Sequence, residues 1–124
     1  MQKGELPSEE LTDFLNFIDA CISRYRYAFD NVGQEDKRLQ DLLHEIEFAS
    51  NKAERNKAAT KLQHSRRIRR ENKDEAKLYE KIAKFFEEKD NRNALNRLRQ
   101  LLGQQRKEEE YLSSNRTYNP RVEK

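Results

Sequence analysis

From Ala53 to Glu88 the chain runs for 36 residues without a glycine or a proline. No residue in that stretch interrupts the i→i−4 hydrogen-bond ladder or frees φ, and strands rarely exceed about ten residues. A single helix of about ten turns is therefore the regular structure it specifies. The rest of the chain points the same way, because all 124 residues contain only three glycines and two prolines. That is too few turn residues for a sandwich or a barrel. The length corresponds to one small domain, and the expected class is all-α, an antiparallel helical bundle with one long basic helix and an extended C-terminal tail.

Apolar spacing divides the chain into four helical segments. Pro7-Ser8-Glu9-Glu10 reads as a helix start, with Ser8 as the cap and two acids in the first turn. Leu11, Phe14, Ile18, Cys21, Ile22, Tyr25, Ala28 and Phe29 then recur at three- and four-residue steps, one stripe over about five turns. Asn31-Val32-Gly33 predicts its end, with Gly33 at the left-handed C′ position. A second segment carries Leu39, Leu42, Leu43 and Ile46 and should form an antiparallel hairpin with the first. A third begins near Lys52 after a turn at Ser50-Asn51, and Asp90 is placed to cap a fourth bearing Ala94, Leu95, Leu98, Leu101 and Leu102. The predicted helices span about 8–31, 35–49, 52–89 and 91–112, a helical domain over 1–112. Pro120 makes 113–124 an extended tail.

The core is in short supply. Leu, Ile, Val and Phe together make about a fifth of the chain, 40% of residues are charged, and mean hydropathy is −1.26. Such a fold is marginal alone, so stabilisation by a homodimer or by a bound partner is expected. One cysteine excludes an internal disulfide and favours a reducing compartment, hence a cytoplasmic protein. No apolar run reaches membrane-span length and no signal-peptide core is present, so no membrane partner is expected.

The net charge of +3 hides a strong asymmetry. Residues 1–50 carry 5 basic and 11 acidic groups, whereas residues 51–73 carry 9 basic and 2 acidic. Arg66-Arg67-Ile68-Arg69-Arg70 is the centre of the basic block, with Lys61, His64, Lys73 and Lys77 around it. At 100° per residue Arg55, Arg66, Arg70, Lys73 and Lys77 fall in one stripe, and Arg66 to Lys77 spans about 16 Å. Guanidinium groups match phosphate oxygens with paired donors, which makes phosphate the natural counterpart of this face. A solvated helix with internal Arg67–Glu71 and Arg70–Asp74 pairs is the plainer reading. Arg66–Arg70 and Lys73–Lys77, however, put like charges at that spacing, a cost that a purely structural helix avoids. The acidic first half could also neutralise the cluster inside the molecule.

Known recognition patterns fit poorly. Glu54-Arg55-Asn56-Lys57-Ala58-Ala59 followed by Ser65-Arg66-Arg67 is similar to a bZIP basic region, but its alanines and its Ser-Arg pair are out of register. Seven-residue steps from Leu62 meet Arg69, Ala76 and Ala83, which is no leucine zipper. A helix-turn-helix over the Ser50-Asn51 turn lacks the glycine common there. Arg116, Tyr118 and Arg121 in the tail interleave an aromatic ring with cations, as a strand-threading segment would. No constellation for catalysis emerges. His44 and His64 are the only histidines, Asp41-x-x-His44 has no second pair to complete a metal site, and Cys21 reads as core. Neither a Gly-rich phosphate loop nor a nucleophile elbow occurs. No enzyme, cofactor, metal or small-molecule substrate is expected.

With Leu101-Leu102-Gly103-Gln104-Gln105-Arg106-Lys107 and Arg116-Thr117-Tyr118-Asn119-Pro120-Arg121 closing a short, intensely charged helical chain, the protein resembles small accessory proteins of phages and prophages. Anti-CRISPR proteins are one such group. The resemblance implies stoichiometric action in a bacterial host, by occupying a nucleic acid or a nucleoprotein complex such as a defence nuclease. The expectation is thus a non-catalytic binding protein whose contacts are Arg66, Arg67, Arg69, Arg70 and Lys73, extended by Arg55, Lys61 and Lys77 and by the tail residues. Two other readings stay open: a helical scaffold that dimerises, and an inhibitor that sets its acidic N-terminal half into a basic protein groove.

Overall fold

A computed structural model describes residues 6–115. These form three α-helices and no strand among the described residues: α1 (Pro7–Glu47), α2 (Lys52–Glu87) and α3 (Lys89–Ser113). The all-α bundle is as expected from the sequence, but its segmentation differs. The helices expected at 8–31 and 35–49 are one helix about 61 Å long. Gly33 sits inside it in ordinary helical conformation, not at a C′ position. A mid-helix glycine costs about 1 kcal/mol. The contacts that Ala28, Val32, Glu35, Leu39 and Leu42 make in covering one face of α1 outweigh that penalty. The hairpin expected at residues 32–34 forms instead at Phe48–Asn51, between α1 and α2.

Helix ends follow local chemistry. α1 starts at Pro7, whose missing N–H is no loss in a first turn, and Leu6 rather than Ser8 occupies the cap. Asn51 caps α2 by accepting from the Glu54 N–H at 2.9 Å. Glu54 in turn accepts from the Ser50 N–H at 2.9 Å and the Ser50 hydroxyl at 3.0 Å, a reciprocal arrangement of the capping-box kind. These bonds lower the Glu54 pKa. Glu88 alone, extended at φ −61° and ψ 137°, separates α2 from α3. Asn91 Nδ2 closes the break by donating to the Phe85 carbonyl at 2.8 Å and to Glu88 Oε2 at 3.1 Å. Asp90, expected as the cap of the last helix, lies in its first turn. Gly103 is carried within α3.

Cross-helix bonds fix the register of α1 against α2. Arg24 Nη1 donates to the Tyr79 hydroxyl at 2.7 Å, Asn31 Nδ2 to Asn72 Oδ1 at 3.2 Å, Ser65 Oγ to Glu35 at 2.5 Å, and Lys61 pairs with Glu45 at 3.8 Å. Rising numbers on α1 meet falling numbers on α2, so the pair is antiparallel. Cys21, Ala28, Glu35 and Leu42 are buried at seven-residue intervals. On α2 the seam includes Leu62, Arg69, Ala76 and Ala83, the same seven-residue series that makes no leucine zipper. Ala76 and Ala83 in that series, with Ala28 on α1, are small enough to let the helices approach closely. An antiparallel hairpin of this kind is also incompatible with the steep crossing of a helix-turn-helix.

The apolar core lies at the other end. Leu15, Ile18, Leu95 and Leu102 are buried together, with Leu11, Ile22, Ile82, Phe86 and Leu98 packed around them. Here α3 joins α1 with opposed direction, shown by Arg99–Asp19 at 2.6 Å and Arg106–Thr12 at 3.0 Å. Glu109 accepts from both the Ser8 N–H, at 2.9 Å, and the Ser8 hydroxyl. A carboxylate from α3 thereby satisfies a free donor at the N-terminus of α1, and those bonds lower its pKa. No helix among the described residues is long and apolar enough to cross a membrane.

Candidate nucleic-acid interface

α2 gives the basic residues two different fates. Arg69 lies in the seam, half-buried, and donates from Nε to Asp36 Oδ1 at 2.6 Å. Lys61 pairs with Glu45 across the same seam. These two, expected as partner contacts, are engaged within the molecule by Asp36 and Glu45 of α1, in the acidic first half of the chain. Arg66, Arg70, Lys73 and Lys77 are exposed and have no ion-pair partner among the described residues. Arg55 is likewise exposed and unpaired, three turns before Arg66 with uncharged Ala59 and Gln63 between. Arg67 lies toward the neighbouring face and bonds His64 Nδ1 at 2.9 Å. Neither Arg67–Glu71 nor Arg70–Asp74 closes to an ion pair. Arg116, Tyr118 and Arg121 lie outside the described residues.

The exposed stripe is longer than the basic block of the sequence suggests. Lys81 and Lys84 continue it at four- and three-residue steps from Lys77, so Arg66, Arg70, Lys73, Lys77, Lys81 and Lys84 form one row about 27 Å long. Both extra lysines are legible in the sequence, Lys84 as the seven-residue step 70–77–84 and Lys81 as a four-residue step from Lys77, but they lie where block charges cancel. Lys84 is bonded to Glu80 at 2.8 Å, and that bond raises the lysine pKa and lowers that of the carboxyl. Glu80 and Asp36 are thus both neutralised by a neighbour. The remaining row keeps like charges at four-residue spacing: Arg66–Arg70, Lys73–Lys77 and Lys77–Lys81. Each such pair costs a few tenths of a kcal/mol in an isolated helix.

A shallow groove accompanies the row. Asp36 and Leu39 of α1 and Arg66, Arg69, Arg70 and Lys73 of α2 line about 300 Å³ on one flank of the hairpin. Its floor contains the buried Glu35–Ser65 bond, and Arg38 Nη1 adds a second donor to Glu35 at 2.8 Å. Phe29, expected in the core, is 61% exposed, while Tyr25 is half-buried with its ring centroid 6.0 Å away. Cys21 is buried as expected. No cluster of metal-ligating side chains occurs among the described residues. No protein-family model matches the chain, and no curated protein or solved structure is significantly similar to it.

Proposed function

We propose that this protein works by binding a polyanion, with nucleic acid or a nucleoprotein complex as partner and the outer row of α2 as the contact face. The observation that carries this reading is the uncompensated row itself. An acidic helix lies alongside, yet of the basic residues of α2 it takes up only Arg69 and Lys61; Lys84 is bonded to Glu80 within α2, and Arg66, Arg70, Lys73, Lys77 and Lys81 remain in line on the solvent side with no ion-pair partner among the described residues. Clustered exposed cations bind phosphate chains by counterion release and need no catalytic group. Stoichiometric occupation of a host nucleoprotein, the mode that the resemblance to phage accessory proteins implies, would use the same face.

Salt tests it directly. If about five duplex phosphates are neutralised, affinity falls several hundred-fold between 50 and 200 mM salt. The combined change Arg66→Glu, Arg70→Glu and Lys73→Glu should abolish binding and leave helicity, read by circular dichroism, unchanged. Arg69 is left intact because its loss would break an ion pair between helices. A flat salt response with full binding by the triple variant would defeat the proposal.

A further inference from the structure

The geometry points to a single-stranded polynucleotide as the occupant of the flank between α1 and α2, with Phe29 as a base-stacking platform beside the cationic row. This inference rests on the polyanion-binding reading and narrows its ligand.

Three placements carry it. Phe29, Asp36 and Leu43 are seven residues apart on α1 and so share one flank. Asp36 lines the groove together with Arg66, Arg70 and Lys73, so that flank is the one facing the row. The antiparallel register, with Asn31 against Asn72 and Arg24 against Tyr79, sets Phe29 level with the span between Lys73 and Lys77.

The flank therefore offers an exposed ring at 61%, a half-exposed Leu43 at 49%, and a wall of cations, while Asp36 and Glu80 are already paired. Charge alone would suit a duplex equally well. An exposed ring set among cations suits a ligand whose bases have free faces, and only an unpaired strand presents them. Phosphates on Lys73, Lys77 and Lys81 would leave a neighbouring base within reach of Phe29.

The test uses the full chain with oligothymidylate and oligouridylate of about ten nucleotides, a duplex of equal length, and polyglutamate at one salt concentration. Both single strands should bind more tightly than the duplex, and the ratio between them shows whether ribose contributes. Phe29→Ala should weaken single-strand binding about tenfold and leave duplex binding unchanged, whereas Phe29→Trp should retain it. Equal or tighter duplex binding, or an indifferent Phe29→Ala variant, overturns this inference while the polyanion reading stands. Polyglutamate binding as tightly as the strands overturns it in favour of an acidic protein partner. Failure to bind any of the four removes both.

Discussion

The two ends of the molecule are built on different principles. Where α3 meets α1, burial is by Leu15, Ile18, Leu95 and Leu102, large side chains with no polar demand. Along the rest of α1 and α2 Leu42 is the one large apolar side chain buried among the described residues, and beside it the seam holds Ala28, Ala58, Ala76 and Ala83 with Ser65 and Glu35, small or polar groups that bury little apolar area. The apolar end supplies most of the hydrophobic stabilisation, at roughly 2 kcal/mol per large buried side chain. The stem instead depends on polar bonds in register, above all Ser65 to Glu35 and Arg69 to Asp36. Only the stem carries an uncompensated basic row. A helix held by a narrow seam leaves most of its circumference in solvent, and that exposed surface is what a binding face requires.

The largest expected effect lies at the apolar end: Leu95→Ala should cost about 2–5 kcal/mol in urea unfolding, more than any single change in the stem. Ser65→Ala leaves the Glu35 carboxylate, 6% exposed, without its 2.5 Å donor and should cost about 1–3 kcal/mol in the same measurement. If Ser65→Ala equals or exceeds Leu95→Ala, the contrast between the ends is wrong. Gly33→Ala should stabilise by about 0.5–1 kcal/mol, because the position is helical and nothing lies within 4 Å of the added methyl. The smallest effect is one of pH. Glu109 has its pKa lowered by the Ser8 bonds, so the folded state binds fewer protons than the unfolded chain. Its contribution is present above the unfolded carboxyl pKa and is lost as pH falls through the lowered folded value. Thermal melts should show Glu109→Gln less stable than the parent at neutral pH, with the gap closing in acid.

Much of the fold is legible in the residues. The gap-free run from Ala53 to Glu88 does become one helix to within a residue or two, and the turn at Ser50-Asn51 stands where the capping chemistry of Asn51 and Glu54 puts it. Gly33 is misleading because its local cost of about 1 kcal/mol is visible in sequence, while the contacts outweighing it come from a helix thirty to fifty residues away. Phe29 is misleading for a related reason. It shares a stripe with Tyr25 and Ala28, but α2 presents small side chains there and covers Ala28 without reaching the ring. Within the basic cluster, the five residues Arg66-Arg67-Ile68-Arg69-Arg70 do not by themselves mark the arginine that turns inward; only the seven-residue series Leu62, Arg69, Ala76 and Ala83 places Arg69 on the seam face, and it does not name the Asp36 that lies opposite.

By itself the amino-acid order determined that the chain is helical, that its cations gather in one segment, and that like charges recur on one side of it. These are local properties, set by the absence of breakers and by the 100° step between residues. Tertiary structure decided that α1 passes through Gly33, that Arg69 and Lys61 are drawn to α1 while Arg66, Arg70, Lys73 and Lys77 are not, and that the Phe29 ring faces solvent. Each of those outcomes depends on which residue of the partner helix lies opposite, and that register is set by contacts between residues far apart in the chain.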